Sequence, residues 1–291
     1  MNKIIQGDCL EVMKTMPDKS IDMILCDLPY GTTTCKWDAI IPFEPLWEQY
    51  KRIIKDNGAI VLTAQTPFTE ALGYSNIKQL RYKWQWIKEQ GTGFFNAKKQ
   101  PLKATEDILV FYKNTPLYNP QMRTGFKPYT CKKGHHGDNY RKQDTKEIIT
   151  TSDGDRYPLN WIQVKRDKDK VHPTQKPVAL FEYLIKTYTN EGDLVLDNCA
   201  GSGTTGVACK NLNRDFILIE QDEKYCEIIK ERIGDIEIEC KEKQGKPNEI
   251  KEKDFTCKDE CKKKGDICQL CGGKLKKTKY GKTCEDCLTD Y

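Results

Sequence analysis

A glycine-rich loop late in the chain constrains the fold more than any other feature of the sequence. Residues 197–206 read Asp-Asn-Cys-Ala-Gly-Ser-Gly-Thr-Thr-Gly and lie between a short apolar run and a helical pattern. The G-x-G-x-x-G spacing comes from Gly201, Gly203 and Gly206, and the acidic Glu220 ends the next apolar run. Glycines between a strand and a helix let a ligand approach the backbone N–H groups. The loop therefore predicts one nucleotide-binding half of an α/β sheet.

The position of this loop in the chain indicates which segments supply the other strands of the sheet. Only residues 204–233 separate it from a polar stretch, which is enough for two helices and one strand. The other strands must therefore come from upstream. The same fingerprint would suit an NAD enzyme, but the carboxylate of Asp197 at the mouth of the loop would repel a pyrophosphate and attract a cationic ligand. A glycine-rich turn without any ligand is a further alternative.

Apolar runs and helical patterns alternate through much of the chain. Strands are expected at 21–26, 59–63, 84–88, 108–112, 194–196 and 216–219. Helices are expected at 43–54, with Asn57-Gly58 as the stop signal, and at 178–188, 204–211 and 224–233. Strands that alternate with helices predict an α/β fold with a parallel sheet covered on both faces.

A second candidate site follows the first of these strands. Residues 27–31 (Asp-Leu-Pro-Tyr-Gly) come directly after the apolar run 21–26, at the strand ends where open α/β sheets bind ligands. The segment offers a carboxylate, a turn with backbone carbonyls and an aromatic ring. An exocyclic amine needs two hydrogen-bond acceptors and a plane on which its ring can stack. The segment is therefore a candidate amine-binding site, and a plain turn is the alternative.

The middle of the chain is basic. Residues 78–170 contain 20 Lys and Arg against 10 Asp and Glu, a net charge of +10, whereas the whole chain carries +5. Aromatic residues are interleaved with these charges, a mixture that suits phosphate contact and base stacking. A polyanion is the expected partner, and a solvated lysine-rich surface is the alternative. The polar stretch 114–170 is interpreted as an insertion on the scaffold.

The cysteines indicate a metal site near the C-terminus. Of 14 Cys, six lie in the last 35 residues, and the scatter of the others is typical of reduced thiols in a cytosolic protein. Two Cys-x2-Cys knuckles separated by 12 residues match a four-cysteine zinc ribbon, in which thiolates close a structural site. The predicted zinc ligands are Cys268, Cys271, Cys284 and Cys287. Four free thiols are the alternative.

Membrane and secreted proteins are not expected. No run approaches the roughly 18 apolar residues that read as a membrane span. The N-terminal segment turns acidic within eight residues and lacks the apolar core of a secretory signal. We therefore expect a cytoplasmic protein.

The two candidate sites and the basic segment occur in an order found in one family. The chain resembles the β-class DNA amino-methyltransferases, which use S-adenosylmethionine to methylate adenine N6 or cytosine N4. In that class an Asp/Asn/Ser-Pro-Pro-Tyr/Phe motif precedes the target-recognition region, and the cofactor loop comes last. Residues 172–177 (His-Pro-Thr-Gln-Lys-Pro) and 7–10 (Gly-Asp-Cys-Leu) also resemble family segments. The resemblance covers about residues 3–233 and implies a Rossmann-like sheet with a circularly permuted motif order.

The resemblance implies a role for each matched residue. The catalytic set is Asp27, Leu28, Pro29 and Tyr30. The cofactor set is Asp8 and Cys9 near the adenine, Glu220 on the ribose, Asp197, Gly201, Gly203 and Thr204 around the methionine part, and Thr174. Two residues depart from the family pattern. Leu28 replaces the usual first Pro, which keeps the backbone carbonyl, and Cys199 replaces the usual Phe, which bears on cofactor affinity.

The resemblance also implies the reaction. The expected product is N6-methyladenine in double-stranded DNA, formed after the base is flipped out, since Asp at position 27 favours adenine in this family. N4 of cytosine is the alternative, and cytosine C5 chemistry is set aside because none of the 13 Pro is followed by Cys. An enzyme acting on RNA or protein glutamine, and a catalytically idle zinc-dependent nucleic-acid-binding protein, stay open. Homodimers are common in the family.

The predicted organisation has three parts. A methyltransferase domain spans 1–234 and contains the target-recognition insertion at about 114–170. A charged linker rich in Glu and Lys follows at 235–256. The zinc-ribbon module occupies 257–291.

Overall fold

The computed structural model describes most of the first 240 residues and two short strands near the C-terminus. The described residues are 2–33, 35, 38–133, 148–167, 171, 175–234, 236–240, 275–278 and 281–284. The chain divides into two compact units, Met1–Glu242 and Lys243–Tyr291. The start of the predicted linker, residue 235, lies inside the first unit.

The first unit contains strands β1–β11 and helices α1–α6. The strands are β1 Lys3–Gln6, β2 Ile21–Cys26, β3 Ile54–Ala64, β4 Leu80–Thr92, β5 Lys103–Phe111, β6 Tyr129–Lys133, β7 Ile148–Ser152, β8 Trp161–Gln163, β9 Leu194–Asp197, β10 Asp215–Glu220 and β11 Ile238–Cys240. The helices are α1 Cys9–Lys14, α2 Phe43–Ile53, α3 Phe68–Ser75, α4 Val178–Tyr188, α5 Thr204–Asn211 and α6 Glu223–Ile233. None of the helices in the described part of the chain is long and apolar enough to cross a membrane.

Nine strands form one sheet in the order β11-β1-β10-β9-β2-β3-β5-β4-β8. The neighbours from β11 to β3 are parallel. The prediction of a parallel sheet is wrong at β5, which runs antiparallel to both β3 and β4, whereas β4 and β8 pair in parallel. Strand β4 therefore points the same way as β2 and β3, and its carboxyl end lies at the same edge of the sheet.

The strand order reverses between β2 and β9, which lie side by side. The chain leaves β2 through α2 towards β3 on one side, and it leaves β9 through α5 towards β10 on the other side. Open α/β sheets bind ligands in the crevice at such a switch point. Both sequence-predicted sites begin there, since Asp27 follows β2 and Asp197 ends β9.

Helices cover both faces of the sheet. Residues such as Leu180 of α4 and Ile229 of α6 pack into one apolar layer. Residues such as Leu46 of α2 and Leu72 of α3 pack into the other. The predicted α/β fold with both faces covered is confirmed, and burial of these two layers is its main source of stability.

Three differences from the sequence prediction concern the pairing of strands in the main sheet. Asn57-Gly58 does not follow the helix as a stop signal, because β3 already begins at Ile54 and the register between β2 and β3 shifts there. A Cβ at Gly58 would lie 2.7 Å from the carbonyl oxygen of Asp22, so this glycine permits the irregular pairing of the two strands. The other two differences are β8 of the predicted insertion and β11 of the predicted linker, which both join the main sheet.

The described part of the second unit is an antiparallel pair, β12 (Leu275–Thr278) and β13 (Gly281–Cys284), in which Leu275 is opposite Cys284. The predicted zinc ligands Cys268, Cys271 and Cys287 lie outside the described residues. No group of three or more potential metal ligands occurs within the described ranges. The zinc site stays a prediction.

Candidate active site

A cavity of about 730 Å³ opens at the carboxyl edge of the sheet, beside the switch point. Its volume falls in the range of small-molecule sites, about 300–1,000 Å³. Seven of the residues predicted from the sequence line it: Asp8, Cys9, Asp27, Leu28, Pro29, Tyr30 and Glu220. The fold thus brings the predicted amine-binding segment and the acid predicted to contact the ribose to one cavity.

The carboxylate of Asp27 is held from two directions. The Tyr30 hydroxyl donates to its Oδ1 at 2.8 Å, and the Thr63 hydroxyl donates to the same oxygen. The ammonium Nζ of Lys176 lies 2.7 Å from its Oδ2. These donors orient the carboxylate at the end of β2.

Lys176 is the buried cation of the site. Its side chain is 7% exposed and also lies 3.3 Å from Glu106, which in turn pairs with Lys88 at 2.5 Å. Burial by itself would lower the pKa of Lys176, but the carboxylates of Asp27 and Glu106 more than offset this and raise it well above its usual value. The site therefore holds a chain of alternating charges, in which removal of Lys176 leaves Asp27 without its cation and removal of Glu106 leaves Lys88 without its carboxylate.

The turn after Asp27 is shaped by a second aspartate. The buried carboxylate of Asp38 accepts the backbone N–H groups of four consecutive residues at 2.7–2.9 Å: Tyr30, Gly31, Thr32 and Thr33. Burial would raise the pKa of Asp38, but these hydrogen bonds hold it below its usual value. Asp38 thereby fixes the position of Tyr30, whose ring stacks on Phe68 with 5.2 Å between centroids.

Leu28 departs from the family pattern but is accommodated. Its side chain is 4% exposed and packs in the same apolar layer as α1, α2 and α3. The replacement of Pro by Leu is therefore compatible with the turn, because an apolar side chain suffices at this buried position.

The acid at the end of β10 closes the other side of the cavity. The Glu220 carboxylate accepts the N–H of Gly201 at 2.8 Å, and those of Gln221 and Asp222 at 2.8 and 2.9 Å. Burial raises the pKa of Glu220. Gly201 has a positive φ of 52°, and a Cβ there would meet nothing within 4 Å, so its open side leaves space for a ligand.

The other two glycines of the loop have a packing role. A Cβ at Gly203 would lie 2.9 Å from Ile229 of α6, and one at Gly206 would overlap Leu218 of β10. These glycines let α5 approach its neighbours closely. The family resemblance assigns Gly203 to the methionine part of the cofactor, but its position accounts for glycine by packing alone.

Asp197 is directed into the loop. It is 2% exposed and accepts hydrogen bonds from the Thr205 hydroxyl and from the Cys199 N–H at 3.1 Å. Burial raises its pKa to about 6. Asp197 and Thr204 border a small cleft of about 40 Å³ that Asp27 also lines, whereas neither lines the main cavity.

The Asp197→Asn variant should show a changed pH dependence of stability. The folded-state pKa of Asp197, about 6, lies above the usual value of 3.8, so its contribution to the free energy of unfolding falls as pH rises from about 4 to 6. Between pH 5 and 7 the wild type should lose about 1 kcal/mol relative to the variant. Urea unfolding of both proteins at the two pH values measures this difference, and parallel curves would contradict it.

The adenine-side residues lie at the start of α1. Asp8 caps this helix by accepting the N–H of Leu10 at 2.9 Å and that of Glu11 at 3.1 Å. Cys9 lines the cavity with Cys199, and a hydrogen bond between their thiols is the main reason that the pKa of Cys9 is lowered. Thr174 lies outside the described residues.

Some cationic residues of the basic segment line the cavity, and others make contacts within the insertion. Lys88 and Arg166 line the cavity. By contrast, the guanidinium of Arg156 lies 4.4 Å from the Tyr129 ring centroid and donates to the carbonyl of Lys127 at 2.7 Å. Only part of the predicted positive charge is therefore directed towards a ligand.

Sequence reasoning missed the supporting residues of the site. Thr63, Glu106 and Asp38 carry no motif and reach Asp27 or its turn through the fold. Lys176 is visible in the sequence only as part of a segment that resembles the family, and its contact with Asp27 spans 149 positions. Its place within that segment is the one signal that could have selected it.

Fold and site together define the class of protein. The switch-point cavity joins an acid at the end of β10 to a carboxylate–tyrosine pair. This is an α/β protein with a Rossmann-like sheet and a switch-point cavity lined by hydrogen-bond-accepting side chains.

Several known proteins are similar in sequence. The type II methyltransferase M.HpaI of Haemophilus parainfluenzae is 28% identical over 245 residues, which cover 79% of this chain and 74% of the relative. The type II methyltransferase M.BglII of Bacillus subtilis is 29% identical over 253 residues, which cover 78% and 68%. Both matches span most of each protein.

Two solved structures are also similar to this chain. The crystal structure of an M1.HpyAVI–SAM complex matches with a TM-score of 0.55 and 26% identity, covering 80% of this chain and all of that one. The PvuII DNA methyltransferase (cytosine-N4-specific) matches with a TM-score of 0.60 over 81% of this chain and 87% of that one. Its 17% identity shows a common fold alone.

The family model N6_N4_Mtase, described as DNA methylase, matches residues 21–231. This chain belongs to the N6/N4 DNA methylase family. The resemblance inferred from Asp27 to Tyr30 and from the late glycine loop is confirmed at the level of this family.

Proposed function

We propose that this protein transfers a methyl group from S-adenosylmethionine to the N6 amine of adenine in double-stranded DNA. The observation that carries the proposal is the carboxylate of Asp27, which is oriented by Tyr30, Thr63 and Lys176 on a cavity that Glu220 borders. Such an acceptor suits an exocyclic amine, because it can bind the N–H groups and then take a proton.

The cavity fits S-adenosylmethionine by its chemistry. Glu220 offers carboxylate oxygens to ribose hydroxyls, and Ile219 and Cys9 supply less polar lining. When bound, the cofactor supplies an electrophilic methyl group. The similar M1.HpyAVI structure is a complex with SAM, which supports the same ligand here.

The residues of this chain would act mainly by positioning. The target base must leave the duplex, at a cost of a few kcal/mol. In the proposed mechanism, Tyr30 stacks on the flipped base, and Asp27 and the backbone carbonyl of Leu28 or Pro29 accept the amine hydrogens. This arrangement draws the nitrogen lone pair out of conjugation and aims it at the methyl group. Asp27, or water beyond it, takes the released proton.

Adenine is proposed over cytosine because Asp occupies position 27. The match to a cytosine-N4-specific enzyme is a match of fold and does not discriminate between the bases. The test is transfer of labelled methyl groups from S-adenosylmethionine to unmethylated genomic DNA, followed by nucleoside analysis. N6-methyladenine is expected. N4-methylcytosine would overturn the choice of base, and label found in RNA or protein but not in DNA would overturn the substrate.

Glu220→Gln should weaken cofactor binding. The amide has one acceptor oxygen where the carboxylate has two, so it cannot serve the ribose and all three backbone N–H groups. Hydrogen bonds to charged groups contribute about 1.5–3 kcal/mol, so the Kd should rise roughly 10- to 100-fold in calorimetry. The exposed Glu223 provides the control variant Glu223→Gln, and equal affinities of the two variants would contradict the role of Glu220.

We also propose a structural zinc ion in the second unit, held by Cys268, Cys271, Cys284 and Cys287. Support comes from the spacing of the two knuckles and from the strand pair that ends at Cys284. Elemental analysis of the full chain should find about one zinc per molecule, the content of a closed four-thiolate site. Cys268→Ser with Cys271→Ser should abolish it, and the exposed Cys240→Ser should not. Wild-type protein free of zinc would refute the site.

A further inference from the structure

The turn between β4 and β5 lies at the same edge of the sheet as Asp27. Strand β4 runs in the direction of β2 and ends at Thr92, which lines the active-site cavity. The chain then forms a short 3-10 helix, Phe94–Asn96, before it returns through β5. The turn therefore begins at the rim of the cavity that Asp27 lines.

Two adjacent phenylalanines project from the turn. Phe94 is 80% exposed and Phe95 is 104% exposed, the highest value among the exposed large apolar side chains of the described residues. Single exposed apolar residues are common on protein surfaces. A fully exposed aromatic pair beside a catalytic cavity is different, because it leaves apolar area in water that a partner would cover.

The turn presents these rings on a defined backbone. The N–H of Asn96 donates to the carbonyl of Gly93 at 2.9 Å, and that of Ala97 donates to Phe94 at 3.0 Å. Gly93 has a φ of +85°, and a Cβ at Gly91 would lie 2.7 Å from that of Leu102. The two arms of the turn are thus in contact, so the exposure of Phe95 does not result from a loose loop.

The positive charge near the two phenylalanine rings favours a nucleic acid as the partner. Lys98 and Lys99 follow after Asn96 and Ala97, and both are exposed. An aromatic ring flanked by cations suits a base stack bordered by phosphates, whereas an apolar protein surface would leave the ammonium groups poorly solvated.

We propose that Phe95 inserts into the base stack of duplex DNA next to the target base and occupies the space that the flipped base leaves. Lys98 and Lys99 contact the adjacent phosphates. An aromatic ring in the vacated space stacks on the neighbouring bases and so offsets part of the stacking lost when the target base is flipped. This inference rests on the proposed DNA substrate and assigns Phe95 a positioning role, because it touches neither the cofactor nor the reacting amine.

The test compares Phe95→Ala with Tyr74→Ala, a control at an exposed aromatic residue of α3 (82% exposed). Two duplexes carry the mapped target base, one normally paired and one with an abasic site opposite the target. Base–aromatic stacking corresponds to a factor of roughly 10–100. Phe95→Ala should lose about this factor in kcat/KM on the paired duplex and less than about threefold on the abasic duplex, where the target base is already free to leave. Cofactor affinity should not change.

Three other results of this experiment would overturn the inference, each for a different reason. Equal losses on both duplexes, or no loss on either, would overturn the insertion of Phe95. A change from dimer to monomer in Phe95→Ala, measured by sedimentation, would assign the rings to a second copy of the chain instead. Methyl transfer by the wild type to neither duplex would overturn the proposed function, and the inference with it.

Discussion

Asp27→Ala should reduce methyl transfer by roughly 10²- to 10⁴-fold, the range for loss of a positioned proton acceptor. The alanine removes the acceptor for the amine and for the Tyr30 hydroxyl. S-adenosylmethionine affinity should stay within about threefold, because Glu220, the proposed ribose ligand, lies on the other side of the cavity. Single-turnover transfer and calorimetry measure the two quantities separately.

The same substitution leaves Lys176 short of a partner, so instability must be separated from lost chemistry. Removal of one member of a buried ion pair costs about 3–5 kcal/mol. The double variant Asp27→Ala/Lys176→Met removes both charges and should recover much of that stability in urea unfolding. It should recover no methyl transfer. Activity regained along with stability would show that Asp27 acts only as a structural partner of Lys176.

How much of this site the sequence predicts depends on how far apart in the chain the contacting residues lie. Asp27 and Glu220 are identifiable because each ends an apolar strand, and strand ends meet at one edge of a parallel sheet. Asp38 is not identifiable in this way, because nothing in its local sequence shows that its carboxylate accepts four backbone N–H groups of the preceding turn. Lys176 requires a contact across 149 positions, which no local pattern encodes.

Local sequence likewise reveals the central strands of the sheet but not its edge strands. The strands β2, β9 and β10 are apolar runs buried on both faces, so composition reveals them. The short β8 and β11 are held by pairing with β4 and β1 at the two edges of the sheet, and their own residues are mostly polar or exposed. Edge strands of this kind are set by their neighbours, so periodicity alone does not detect them.

The second large effect is expected at Lys176. Lys176→Met places an apolar side chain of similar length between Asp27 and Glu106, which then face each other with only Lys88 to balance them. The free energy of unfolding should fall by about 3–5 kcal/mol. Lys165→Met is the matched control, because Lys165 forms a surface pair with Glu89 at 3.4 Å and is 82% exposed. That variant should change stability by less than about 1 kcal/mol.

A readout in activity separates positioning by Lys176 from simple stability. The Lys176 ammonium lies 2.7 Å from Oδ2 of Asp27 and holds that carboxylate in place. Lys176→Met should therefore lower kcat for methyl transfer without changing the KM for S-adenosylmethionine, measured at temperatures where the variant is folded. Lys176→Arg keeps the positive charge and should recover part of the lost kcat, because the planar guanidinium cannot reproduce all of the ammonium contacts. A folded Lys176→Met enzyme that keeps the wild-type kcat would show that the ammonium does not position the acceptor.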